Sequence, residues 1–73
     1  MLPGRQLMQI RLNGETHVLN RLFTVADLLA YYGYAETSVA VAINGEFVPR
    51  SAHTDHPIHE DDELDVVAPQ AGG

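Results

Sequence analysis

The chain has no cysteine, no tryptophan and no lysine, and only four arginines stand against its ten acidic residues. The missing cysteines exclude disulfides, thiolate zinc sites, iron–sulfur clusters and a cysteine nucleophile together. They also suit a reducing, cytoplasmic setting, since small secreted domains tend to need disulfide staples. A formal charge of −6 argues against nucleic acid as a partner, because its phosphates would be repelled. Long apolar runs are missing too. Stretches such as Val39–Ile43 are far too short to span a bilayer, so no membrane partner is expected. The first seven residues hold one positive charge and no apolar segment of signal-peptide type. They read as a flexible extension, residues 1–7, ahead of a folded domain over residues 8–69 and a tail over residues 70–73.

What is present is enough for one domain. Seventy-three residues allow a single thin core, since a domain this small buries only about 60% of the surface its unfolded chain exposes. A hydrophobic content of 45% excludes compositional disorder.

The pattern along the chain is regular. Met8, Ile10 and Leu12 alternate with polar residues, as in a strand with one buried face. Asn13-Gly14 suits a type I′ hairpin turn, and Thr16–Leu19 reads as the returning strand. From Thr24 the period changes: Val25, Leu28, Leu29 and Tyr32 fall on one helical face. Thr24 suits the N-cap with Asp27 at N3, Phe23 and Leu28 form a hydrophobic staple, and Gly33 ends the helix. Val39, Val41 and Ile43 form a third strand, with alanines between them that suggest cover on both faces. Asn44-Gly45 turns it into Glu46-Phe47-Val48, and Pro49 stops that strand. Ser51–Asp62 reads as a polar loop or short turn. Leu64–Ala68 is the last strand, followed by Pro69. The order β-β-α-β-β-β is an α+β architecture: a mixed five-stranded sheet with one main helix packed on one face.

Few residues offer chemistry. His53, His56 and His59 lie beside Asp55 at metal-ligand-like spacing, but Pro57 interrupts any helix that would align them. A solvated loop explains them better, so no metal is expected. His17 reads as a strand surface residue. The acidic run Glu60, Asp61, Asp62, Glu63 and Asp65 lacks calcium-loop spacing and reads as an exposed turn. Ser38 and Ser51 lie outside any nucleophile motif. The remaining feature is Gly72-Gly73. Two final glycines arise by chance in roughly 0.5% of chains at a glycine usage of about 7%. A frayed tail is the plain explanation. The alternative is that a tail without Cβ atoms threads a narrow partner channel, where the unhindered carboxylate of Gly73 attacks a nucleotide α-phosphate.

Several segments together resemble one family. These are Met8-Gln9-Ile10-Arg11-Leu12-Asn13-Gly14, Thr24-Val25-Ala26-Asp27-Leu28-Leu29, Val41-Ala42-Ile43-Asn44-Gly45, Val48-Pro49-Arg50, the acidic turn and Ala71-Gly72-Gly73. In this order they are similar to the ThiS/MoaD family of ubiquitin-like β-grasp sulfur carriers, on its thiamine branch. The resemblance runs from Met8 to Gly73 and implies a sheet with the first and last strands central. It also implies a carrier with no catalytic residues and no bound cofactor. A ubiquitin-activating-like, ThiF-type adenylyltransferase would use ATP to convert Gly73 into an acyl-adenylate. A sulfur donor such as a cysteine desulfurase would then support conversion to a thiocarboxylate. A ThiG-type thiazole synthase would receive the sulfur. Gly72 and Ala71 would thread into the partner, and Phe47 and Val48, if exposed, would contact it. Pro69 is a departure shared with the molybdopterin branch. Sulfur delivery to molybdopterin or another metabolite, a ubiquitin-like protein modifier, and a plain binding module therefore stay open as alternatives.

Overall fold

Alternation of apolar and polar residues sets the first strand. In the computed structural model, which describes residues 7–34 and 38–68, β1 (Met8–Leu12) buries Met8, Ile10 and Leu12 and exposes Gln9 and Arg11. Asn13 and Gly14 both take positive φ, at 52° and 86°, as a type I′ turn requires. The turn feeds β2 (Glu15–Leu19), one residue longer than the sequence pattern indicates, because Glu15 still pairs with Leu12.

The helix α1 (Val25–Tyr31) starts where the sequence places it. Thr24 accepts from the Asp27 backbone N–H at 3.2 Å, and the Asp27 carboxylate accepts from the Thr24 backbone N–H at 3.0 Å. This reciprocal capping box satisfies donors that the first turn leaves unpaired. Those bonds hold the Asp27 carboxyl below its ordinary pKa; the backbone bond is the largest cause, followed by the Thr24 side chain. Val25, Leu28 and Leu29 are buried, and Tyr32 is half-buried at the C-cap. Gly33, at φ 80°, follows it, where a side chain would be strained.

The second half repeats the hairpin device. β3 (Ala40–Ile43) turns at Asn44-Gly45, again with both φ positive, into β4 (Glu46–Val48). Arg50–Asp55, expected as loop, forms a 3-10 helix behind Pro49, whose carbonyl accepts from the Ala52 N–H at 2.9 Å. Pro49 itself is the N-cap, in extended backbone at φ −64° and ψ 151°. Pro57 then bridges Thr24, and Ile58 donates to the Phe23 carbonyl at 3.0 Å, tying this crossover to the start of α1. The last strand, β5 (Glu63–Val67), ends one residue before the expected Ala68. Ala40, the first residue of β3, already pairs with Val67, so Ala68 has no residue of β3 left to pair with.

The sheet order is β2-β1-β5-β3-β4, with β1 and β5 parallel and the other neighbours antiparallel. The first and last strands are therefore neighbours in its interior, in the ubiquitin-like β-grasp arrangement. One core joins Ile10, Leu12, Val41, Ile43, Leu64 and Val66 of the sheet to Val25, Leu28 and Leu29 of the helix. β3 is not covered on both faces: Ala40 is exposed and Ala42 half-buried. Helix α1 covers one face, and the alanines lie on the other.

Candidate functional site

β5 is the element that leads toward the tail, and it is held from both flanks. On one side Asp65 and Val67 pair with Ala42 and Ala40 of β3. On the other, β1 pairs with β5 only through Arg11–Glu63 and Leu12–Leu64 before the chain turns away. The strand runs to Val67, and Ala68 is the last residue described. Ala71, Gly72 and Gly73 lie outside the described residues, as do residues 1–6 of the expected extension.

The outer sheet face carries several exposed apolar side chains. Phe47 stands 68% exposed opposite Ala42, and Val67 60% exposed opposite Ala40. The small alanines form a low floor between these two larger side chains. Val48 does not join them. It is 4% exposed and part of the core, because alternation along β4 turns it to the helix side. The exposure required of both proposed contact residues thus holds for Phe47 and fails for Val48.

The histidines do not converge on a metal. Among the described residues no group of three or more His, Cys, Asp or Glu side chains could hold a metal ion. His53 is buried, and its Nε2–H donates to the Val48 carbonyl at 3.2 Å. It serves as a packed, hydrogen-bonded core residue, unlike the solvated loop histidine the sequence suggests. His56 directs Nδ1–H to the Pro57 carbonyl at 3.2 Å, while His59 is exposed. His17 lies within 3.2 Å of the Tyr32 hydroxyl and 3.6 Å of the Glu15 carboxylate. Burial, with a smaller effect of Tyr31, raises the Tyr32 pKa.

The acidic run forms a built turn, most of whose residues remain exposed. Glu60 accepts from the Gln9 N–H at 3.1 Å, and Asp62 from the His59 N–H at 2.8 Å and the Asn44 side-chain amide at 3.0 Å. Two asparagines that the sequence marks only as turn formers also reach β5. Asn13 bonds both backbone polar groups of Val66, and Asn44 accepts from the Glu63 N–H. The backbone requirement of an Asn-Gly turn is visible in sequence; the target of the side chain is not.

The ThiS family model matches residues 5–73. The chain belongs to the ThiS family. The crystal structure of the thiamine biosynthesis protein ThiS from Geobacter metallireducens superposes with a TM-score of 0.78 at 25% identity, covering 90% of this chain and all of that one. A solution structure of a thiamine biosynthesis protein from the same organism gives 0.76 at 25% identity, covering 90% of this chain and 88% of the other. Among curated proteins, this ThiS-family chain is 35% identical over 66 residues to a thiazole synthase of Paramagnetospirillum magneticum. It is 38% identical over 66 residues to a thiazole synthase of Magnetococcus marinus. Each match covers 90% of the chain but 20% of the relative, so the chain spans about a fifth of the length of these proteins. No helix among the described residues is long and apolar enough to cross a membrane.

Proposed function

We propose that the chain is a sulfur carrier for thiamine biosynthesis, with Gly73 as the carrying residue. The observation that carries this reading is the ThiS family match, which runs through the terminal Ala71-Gly72-Gly73. A carboxylate oxygen of Gly73 attacks the α-phosphate of ATP, and pyrophosphate leaves. The resulting acyl-adenylate is attacked at its carbonyl carbon by the terminal sulfur of a donor persulfide, such as that of a cysteine desulfurase, and AMP departs to leave an acyl disulfide. A thiol then attacks the donor-side sulfur of that bond, is itself oxidised to a disulfide, and releases the thiocarboxylate. An adenylyltransferase of the ubiquitin-activating, ThiF type supplies the pocket and the catalysis. The carrier supplies a rigid body and a glycine tail thin enough to thread that pocket.

Thiazole synthase, of the ThiG type, is the proposed acceptor. Two proteins bearing that name contain a segment resembling this chain within a much longer polypeptide. Joining two partners in one chain raises their effective concentration for each other, which favours repeated delivery between them. Phe47, beside Ala42 on the outer face, is the proposed contact with a partner, and the acidic surface favours basic complements there.

Deleting Gly73 tests the reading. The shortened chain is expected to fold with an unchanged unfolding midpoint and to support no ATP–pyrophosphate exchange with a cognate adenylyltransferase. Exchange at the full-length rate would refute Gly73 as the reactive terminus.

A further inference from the structure

The parallel ladder between β1 and β5 stops early, and one side chain continues it. The Arg11 N–H donates to the Asp62 carbonyl at 3.0 Å and the Asn13 N–H to the Leu64 carbonyl at 2.8 Å. The next bonds would involve Val66, but β1 has already turned at Asn13-Gly14. Asn13 closes the gap with its carboxamide: Oδ1 accepts from the Val66 N–H at 2.8 Å, and Nδ2 donates to the Val66 carbonyl at 3.2 Å. A side-chain amide offers the same donor and acceptor as a peptide group, so it acts as one further rung of the ladder.

Val66 depends on this rung. Along a strand, successive residues direct their N–H and C=O to opposite flanks. Asp65 and Val67 face β3, so Val66 faces the flank that β1 has left. Its side chain is buried, and partly buried backbone groups without partners are costly. Asn44 grips the same strand at its start, accepting from the Glu63 N–H at 3.0 Å and donating to Asp62 Oδ1 at 3.0 Å. The two hairpin turns thus hold opposite ends of β5.

We propose that Asn13 is a positioning residue for the tail: its grip on Val66 fixes the direction in which the chain leaves the sheet, seven residues before Gly73. This rests on the carrier reading above and adds a requirement to it. A fixed exit reduces the conformational freedom lost when the tail enters a partner channel. Asn13 touches neither nucleotide nor sulfur in this scheme and acts through Val66.

The test compares Asn13→Gly with Asn44→Gly. Glycine accepts the positive φ at both positions, so each variant keeps its turn and loses only the side-chain bonds. In the free protein, Asn13→Gly is expected to speed amide exchange at Val66 about ten-fold, while Asn44→Gly leaves Val66 unchanged. In adenylation assays Asn13→Gly is expected to raise the KM for the carrier about five-fold with kcat nearly unchanged. Asn44→Gly is expected to keep the wild-type KM. Unchanged Val66 exchange in Asn13→Gly would overturn the clamp itself. Equal KM changes in both variants, tracking lost stability alone, would overturn its positioning role. Exchange needs no activating enzyme, so it judges the clamp separately from the carrier reading. A wild-type chain that is never adenylated would refute that reading and the role given to Asn13.

Discussion

The two faces of the sheet use the same strands for opposite ends. Along β5, Leu64 and Val66 are buried among residues of the helix and neighbouring strands, while Asp65 and Val67 stand in solvent. Along β4, Val48 is in the core and Phe47 is largely exposed. The inner face holds the fold together. The outer face contributes little to that and leaves Phe47 and Val67 in solvent. In so small a domain a single-residue step decides which duty a side chain has.

Breaking the inner face has the largest expected effect. Leu64→Ala removes a fully buried side chain beside β1 and β3 and is expected to destabilise the fold by about 2–5 kcal/mol. Chemical denaturation measures this, and a loss under 1 kcal/mol would show that β5 is not held through its inner face. A smaller effect is expected at the helix start. Thr24→Ala breaks the capping box and is expected to cost about 1 kcal/mol. The cap also shapes the acid response. Because the folded Asp27 pKa lies below its ordinary value, its contribution is present above the unfolded pKa and is lost as pH falls through the folded one. Unfolding midpoints measured down the acid range should therefore fall less steeply in Asp27→Asn than in the wild type, whereas Thr24→Ala, which keeps the backbone N–H that is the largest cause, should retain most of the slope.

The smallest stability effect is expected on the outer face. Phe47→Ala should change stability by no more than about 0.5 kcal/mol while raising the KM for the carrier in adenylation or sulfur transfer. A large loss of stability with unchanged KM would erase the contrast between the faces.

Much of this division was legible in the sequence. Period-two alternation in β1, the Thr24–Asp27 cap and both Asn-Gly turns have purely local causes, so they can be read without a fold. The alanines of β3 were less legible. Their small apolar side chains suit either a covered or a bare face, and only the presence of one helix on one side decides between them. His53 and Ile58 lie in a stretch that is mostly polar, and nothing in its local pattern distinguishes the residues buried by the crossover. The clamps on Val66 and Glu63 join residues 53 and 19 positions apart, a distance over which no periodicity speaks. The terminal glycines stand out by position and composition, and the chemistry proposed for them rests on the segments that resemble the ThiS/MoaD family.

The carrier account is tested most directly by intact mass. The chain is incubated with ATP, a cognate adenylyltransferase and a sulfur donor, and fragments are then mapped. The account predicts a mass gain equal to one oxygen replaced by sulfur, confined to Gly73. An unchanged mass, with the same enzyme and donor shown to be active on another carrier, would contradict it.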